Sequence, residues 1–391
     1  MRIEVPRRHE RFGAVRIHEV IQVVEIDSGR ADLSQEITVG GGVAHVPTGR
    51  LLDVEEDLAV VVPVKGERRR VLAGVLSGIP NACPVILVSA SERSPVDRYA
   101  LETEVLGDFC DQTGRRAVAI HQGDSGVAKA LASSHLPELV HGDRVRSGKG
   151  EAIALGVLVA KGLGCRAVGF VDADNYVPGA VHEYVKAFAA GLSMAPTPYA
   201  MVRISWQSKP KVSNGRLVFN RWGRSTRTVN HYLNQILSTY IGFGTEIITT
   251  GNAGEHALSM DLAMRLRLAS GFAVEPHELV DLFEQFGGAM DSPHPEVNES
   301  AVDVYQVETR NPHFHEDKGE SHVDGIRTAG LDTMAASPVC PPGVAAEIRD
   351  RIPGRREPVP VYPPLQSADV DSFVGAIAEA PSFRRWGEPC T

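Results

Sequence analysis

Four short apolar runs, each ending in small or polar residues, constrain this chain more than any other feature. Leu58-Ala59-Val60-Val61-Val62 is closed by Pro63, and Val85-Ile86-Leu87-Val88 runs into Ser89-Ala90-Ser91. Ala117-Val118-Ala119-Ile120 leads to His121-Gln122, and Ala167-Val168-Gly169-Phe170-Val171 ends in Asp172-Ala173-Asp174. Runs this short and this uniformly apolar read as strands buried on both faces, the pattern of a parallel sheet. Helical stretches separate them: one passes through Val71-Leu72 to Ser77, and Ser147-Gly148-Lys149-Gly150 opens another over about 151–161. The alternation predicts an α/β fold, a doubly wound sheet with helices on both faces. Ligands of such sheets lie outside the carboxyl ends of the strands, which is where the polar residues fall.

Asp172 and Asp174 stand where the fourth strand ends. Two carboxylates there suit a hard divalent cation held against a diphosphate, because Mg²⁺ takes one or two carboxylates plus substrate oxygens. Asp-x-Asp is common by chance, so its neighbours must decide between this reading and a solvated turn. The second half adds a strand, Ala200-Met201-Val202-Arg203-Ile204-Ser205-Trp206, which runs into Lys209-Pro210-Lys211 and then Arg221-Trp222-Gly223-Arg224. A helix is expected over 226–240. Ile247-Ile248-Thr249-Thr250 reads as a strand ending in Gly251-Asn252-Ala253-Gly254, which is expected to open a helix over 255–268. A further strand over 302–308 leads to Asn311-Pro312-His313-Phe314-His315. Beyond about residue 332 the chain is proline-rich, with one short helix expected over 344–350. This tail is expected to lack its own core and to wrap the main domain, a partner subunit or nothing.

Composition excludes several classes. At 391 residues the chain exceeds the roughly 250–300 at which single cores stop growing, so one large domain with appendages, or two domains, is expected. A net charge of −9 argues against general binding to nucleic acid or anionic membranes. No apolar run is long enough to span a bilayer, and the opening MRIEVPRRHERFG is charged throughout, so a cytoplasmic location is expected. Five cysteines without C-x-x-C spacing fit reduced thiols. No phosphate-binding P-loop is present, and Gly148-Lys149-Gly150 does not continue into a dinucleotide fingerprint because Ile153 occupies the third glycine position. No G-x-S-x-G elbow is present either.

Five segments taken together resemble the mannosyl-3-phosphoglycerate synthase family of retaining GT-A glycosyltransferases. They are Val62-Pro63-Val64-Lys65-Gly66-Glu67, Val145-Arg146-Ser147-Gly148-Lys149-Gly150-Glu151-Ala152, Val171-Asp172-Ala173-Asp174-Asn175-Tyr176, Thr250-Gly251-Asn252-Ala253-Gly254-Glu255-His256, and the run from Glu308 to Gly319. The resemblance covers about residues 10–324 and implies a GT-A fold, a doubly wound mixed sheet with a nucleotide-binding half and an acceptor-binding half. It implies a catalytic domain over 1–331, divided at about 50–176 and 177–331, with 332–391 as the tail. The implied reaction is transfer of α-mannose from GDP-mannose to the 2-hydroxyl of 3-phosphoglycerate with a divalent metal. The alternatives are a glucosyl-3-phosphoglycerate synthase using another nucleotide sugar and a sugar-nucleotide pyrophosphorylase. The chain departs from the family pattern at Gly66, where Asn is usual, and at Ala90, in a stretch that often carries Asn.

Pro63, Val64, Lys65, Glu67, Ser89, Ser91, Gln122, Lys149, Asp172 and Ala173 are the expected nucleotide-sugar residues. Lys149, opening a helix between glycines, suits an anion. Arg203, Lys209, Thr250, Gly251, Asn252 and Ala253 are the expected acceptor residues, the last four because a helix N-terminus presents free N–H groups to a carboxylate or phosphate. Asp172 and Asp174 are the expected catalytic pair. Asp174 is expected to hold the metal with His313, or else with His315, since a segment after the last strand should return over the same crevice. An imidazole in that sphere would admit Mn²⁺, Co²⁺ or Zn²⁺ as well as Mg²⁺. The expected assembly is a homodimer.

Overall fold

The computed structural model describes residues 1–26, 32–213, 216–220, 223–315, 319–352 and 357–387. The four apolar runs form adjacent parallel strands: Ala117–His121, Val85–Ser89, Leu58–Val64 and Ala167–Phe170, in that spatial order. Their alternate side chains enter two separate cores. Ala59, Val61, Ile86, Val88, Val118 and Ile120 pack on one face with the helices Ser125–Ser133 and Lys149–Gly162. Leu58, Val60, Val62, Val85, Leu87 and Ala119 pack on the other with Arg69–Gly78, Arg98–Thr113 and Pro178–Met194. Fully burying one such aliphatic side chain is worth about 1.5–3 kcal/mol, so the double coverage is what makes uninterrupted apolar strands stable.

Pro63 does not close its strand, which continues to Val64 with Pro63 in register with Val88. The strand on the other side stops opposite Val61, so the N–H that proline lacks would have met no ladder.

The sheet continues through His256–Ser259, Ala200–Trp206, Val302–Thr309 and Val15–Glu25 to the short strands Arg2–Glu4, Val43–His45 and Thr38–Gly40. Ala200–Trp206, Val302–Thr309 and Val15–Glu25 run parallel to one another, whereas His256–Ser259 is antiparallel to both of its neighbours. This reversed strand is the main departure from expectation. No helix opens at Glu255; a four-residue strand fills the gap between Ala167–Phe170 and Ala200–Trp206, followed by a single helical turn, Met260–Ala263.

The run 247–250 is not a strand either. Its N–H and C=O groups are met by side-chain amides: Asn234 bonds both groups of Ile248, Gln306 accepts from the Thr249 N–H and donates to the Ile247 carbonyl, and Asn230 donates to the Thr249 carbonyl. Buried backbone groups need partners, and here those partners come from the helix Arg224–Ile241 and from Val302–Thr309.

The proline-rich tail wraps the main domain. The helices Pro342–Arg351 and Val370–Ala378 pack against it, and Arg384–Trp386 adds an antiparallel edge strand beside Ala117–His121. Ser382 ties this edge down, accepting from Tyr99 and donating its N–H to Asp124. Cys83, Cys110, Cys165 and Cys340 are buried and unpaired. Among the described residues no helix is long and apolar enough to cross a membrane.

Candidate active site

A cleft of about 900 Å³ opens along the carboxyl edge of the parallel strands. Topology dictates which segments reach it. Leu58–Val64 delivers Pro63, Val64, Lys65 and Glu67, and Ala167–Phe170 delivers Asp172, Ala173 and Asp174. The reversed strand enters the sheet from the same edge, with His256 opposite Phe170 and Arg203. The turn before it therefore brings Asn252, Gly254 and Glu255 to the cleft although no helix follows.

The end expected to take the nucleotide sugar is built around one largely buried cation. Lys149 Nζ lies 2.5 Å from Asp172 Oδ1 and 2.7 Å from Glu275 Oε1. Burial alone would lower the affinity of this amine for its proton, but Asp172 and Glu275 outweigh it and the Lys149 pKa is raised. The contact requires Gly254, since a Cβ there would fall 2.7 Å from Asp172 Oδ2 and 3.1 Å from Lys149 Nζ. Gln122 donates to the Gly148 carbonyl at 3.2 Å and also lines the cleft. Glu67 folds back to accept the Lys65 N–H at 2.6 Å.

Ser89 and Ser91 point away from the cleft, and Ala90 between them lines it. Ser91 accepts from the Gly66 N–H and donates to the buried Glu102, so the serines hold the turn together. Gly66 sits at φ +84, a left-handed conformation that glycine and asparagine tolerate best, so the backbone here would accept either residue.

At the far side of the aspartate turn, Tyr176 N–H donates to the Phe314 carbonyl and Asn175 bridges His315. These contacts draw the histidine segment over the cleft. His315 Nδ1 lies 4.0 Å from Asp174 Oδ2. His313 is buried, stacked on Trp206 at 4.1 Å, with Nδ1 3.3 Å from the Tyr184 hydroxyl. Burial, and then the Lys209 charge, hold the His313 pKa well below the usual value, so its ring is neutral. Glu316 and Asp317 lie outside the described residues.

Glu255 lies beneath this turn. It accepts from Asn175 Nδ2 at 2.9 Å, its Oε2 is 3.9 Å from His313 Nδ1, and burial followed by the nearby Asp172 pushes its pKa up to about 8. The sequence reading gave Glu255 no role, because it was expected inside a helix.

The acceptor end differs from expectation. Arg203 does not reach the cleft. It is fully buried, pairs with Glu278 at 2.7 Å, and donates to the Thr250 and Glu275 carbonyls. Thr250 and Gly251 are buried behind the wall, with Thr250 Oγ1 donating to Gln306 and Gly251 N–H to Asn230. Ala253 is buried with them. A helix N-terminus is present, but a different one: Gly223 caps Arg224–Ile241, and Gly223, Ser225 and Thr226 line the cleft with no side-chain cap on the helix. Lys209 lies 4.8 Å over the Trp206 ring beside them. Asn252 lines the cleft while buried, and neither end of its amide has a partner among the described residues. Phe272, His322, Val323 and Ile326 complete this wall. Arg221 lies outside the described residues.

A largely parallel sheet with an Asp-x-Asp turn at its carboxyl edge, facing a long cleft shared by two walls, is the architecture of a GT-A glycosyltransferase. The fold is similar to that of glucosyl-3-phosphoglycerate synthase from Mycobacterium tuberculosis in complex with phosphoglyceric acid. That likeness has a TM-score of 0.51 and 19% identity, covering 82% of this chain and 96% of that one. The same enzyme in complex with Mn²⁺, uridine-diphosphate-glucose and phosphoglyceric acid gives a TM-score of 0.51 at 18% identity over the same shares. Likeness at this identity speaks for the fold.

Sequence relatives speak for the family. Residues 5–377 match the mannosyl-3-phosphoglycerate synthase family, so the match extends beyond residue 324 and well into the proline-rich tail. Mannosyl-3-phosphoglycerate synthase of Pyrococcus furiosus is 41% identical, over 85% of this chain and 84% of that protein. The Aeropyrum pernix enzyme of the same name is 36% identical, over 97% and 98%. The chain belongs to the mannosyl-3-phosphoglycerate synthase family.

Proposed function

We propose that this chain transfers α-mannose from GDP-mannose to the 2-hydroxyl of 3-phosphoglycerate, retaining the anomeric configuration and using a divalent cation. The observation that carries the reading is a single cleft with carboxylates and a buried lysine at one end and a lysine with an open helix N-terminus at the other. One end suits a metal-bound nucleotide sugar and the other a small anionic acceptor.

The metal fits the residues present. Asp174 Oδ2 and His315 Nδ1, 4.0 Å apart, leave room for one ion between them, and carboxylate with imidazole is a donor pair for Mg²⁺ or Mn²⁺ and equally for Co²⁺ or Zn²⁺. Among the described residues there is no cluster of three or more His, Cys, Asp and Glu side chains suited to a metal, so diphosphate oxygens and water would complete the sphere. When bound, the ion neutralises charge on the departing diphosphate. Of the two histidines, His315 is the better placed ligand, because His313 is engaged with Trp206 and Tyr184.

Asp172, held by Lys149, faces the hexose and ribose. Glu67 and the Ala90 backbone lie along the base and ribose. Gly223 to Thr226 present N–H groups to the acceptor phosphate, with Lys209 as the facing cation. Asn252, with both amide ends open inside the wall, meets a hydroxyl or the carboxylate of a bound molecule. Glu275 is occupied by Lys149, which disfavours it as a nucleophile. The acceptor hydroxyl is read as attacking from the face of the leaving group, its proton passing to the departing phosphate oxygen.

The protein is read as a cytoplasmic homodimer, the commonest arrangement among oligomers. The test of the reaction is a donor panel of GDP-mannose, GDP-glucose and UDP-glucose with 3-phosphoglycerate, with the product anomer read by NMR. An α-mannoside formed fastest from GDP-mannose is expected; preference for UDP-glucose would replace the donor, and a β-product would remove the retaining step.

A further inference from the structure

The C-terminal tail reaches the helix that opens at the cleft through one hydroxyl. Segment 360–362 runs antiparallel to 268–270: Tyr362 N–H donates to the Leu268 carbonyl, Ser270 N–H donates to the Pro360 carbonyl, and Ala269 bridges Val361. Tyr362 is thereby carried to Glu151, a fully buried carboxylate in the first turn of the helix that begins at Lys149. Glu151 Oε1 accepts from the Tyr362 hydroxyl at 2.5 Å and from Ser270 Oγ at 2.6 Å, and Oε2 accepts the Gly271 N–H at 3.2 Å. Burial and the bond to Glu151 raise the Tyr362 pKa, so the hydroxyl keeps its proton and donates.

Those three bonds join two loops that both line the cleft. The loops meet backbone to backbone: a Cβ on Gly150 would fall 2.0 Å from the Ala269 carbonyl oxygen, and one on Gly148 would fall 2.9 Å from the Gly271 Cα. One loop carries Lys149 and the other leads to Glu275, the two residues that grip each other at 2.7 Å in the donor end. A buried carboxylate with three donors is a fixed point. Taking one donor away leaves the charge under-solvated and frees the loops to part.

We infer that Tyr362 is a positioning residue for the donor end, with the tail segment 360–366 acting as a strap that sets Lys149 and Glu275 through Glu151. This inference rests on the proposed reading of the cleft. The bonds at Glu151 lie beside Lys149 and on the path to Glu275, so the effect is expected on the nucleotide sugar ahead of the acceptor.

The test uses the full-length protein with Tyr362→Phe, Ser270→Ala and Val361→Ala, the last a control within the strap whose side chain is partly exposed. Loss of one charge-assisted bond should lower kcat/KM for GDP-mannose by about tenfold in Tyr362→Phe and Ser270→Ala. The KM for 3-phosphoglycerate should change less than that for GDP-mannose, and hydrogen–deuterium exchange should speed up at 147–151 and 269–275. Val361→Ala should match wild type in every readout. Wild-type kinetics and exchange in Tyr362→Phe would overturn the inference, as would a loss shared equally between donor and acceptor that follows the melting temperature in all three variants. A wild-type protein without turnover would count against the proposed reaction, while exchange at the two loops would still decide whether the strap holds them.

Discussion

The two walls of the cleft are built on different principles. The wall read as the donor's rises from the carboxyl ends of parallel strands, which place Pro63 to Glu67 (Leu58–Val64), Gln122 (Ala117–His121) and Asp172 to Asp174 (Ala167–Phe170), while Lys149 and Glu275 come from helices. The acceptor wall is assembled from a reversed strand's leading turn, a helix N-terminus and a hairpin that begins at Lys209. The first is set by the sheet ladder; the backbone behind the second is held by the side-chain amides of Asn230, Asn234 and Gln306.

Substitutions can sharpen or break that contrast. The largest effect is expected at the aspartate turn. Asp174→Ala should reduce metal-dependent turnover by about two to three orders of magnitude, since the metal's stabilisation of developing charge is worth several kcal/mol. Activity in Asp174→Ala with unchanged metal affinity would remove the donor wall's assigned chemistry.

Lys149→Ala comes next. It leaves Asp172 and Glu275 facing each other in a buried site without their cation, and breaking a buried pair costs about 3–5 kcal/mol. Calorimetry should show lowered stability together with weakened GDP binding; a variant as stable as wild type would show that water replaces the ammonium.

The histidines should separate. His315→Ala is expected to weaken metal binding by at least about tenfold, as ligand and supporting positions do. His313→Ala, which empties a buried site against Trp206, should lower the melting temperature more than it alters metal affinity. The reverse pattern would make His313 the ligand.

The smallest expected effect lies on the acceptor wall. Glycerate should be used about tenfold less efficiently than 3-phosphoglycerate, because the phosphate loses at least one charge-assisted bond of about 1.5–3 kcal/mol. Thr226→Ala should narrow that ratio, and Arg203→Met should leave the ratio alone while destabilising the fold, given that Arg203 is spent on Glu278. Equal efficiency with the two acceptors would break the contrast between the walls.

The same contrast explains what could be read in advance. The four parallel strands announce themselves by uniform apolarity, and Asp172 and Asp174 by their position after the fourth, while Lys149 is marked by the glycines that flank it at a helix start. His256–Ser259 is four residues long and carries no directional signal, and Thr250-Gly251-Asn252-Ala253 before it looks like a helix cap. Only the gap between Ala167–Phe170 and Ala200–Trp206 makes that segment a strand, and a gap is a tertiary fact. The stretch 247–250 reads as a strand by composition because nothing local reveals that Asn230, Asn234 and Gln306 take over its hydrogen bonds. Ser89 and Ser91 are expected among the nucleotide-sugar residues; alternation along the strand end turns their side chains inward and leaves Ala90 lining the cleft. Glu255 is hidden by the helix that its surroundings suggest, and Tyr362 because its partner lies 211 residues away.

The most direct measurement is GDP release from GDP-mannose in the presence of Mg²⁺, with and without 3-phosphoglycerate. A cleft whose two walls serve one transfer predicts release that requires the acceptor and disappears in Asp174→Ala. Release at the same rate without 3-phosphoglycerate, or retained in full by Asp174→Ala, would contradict it.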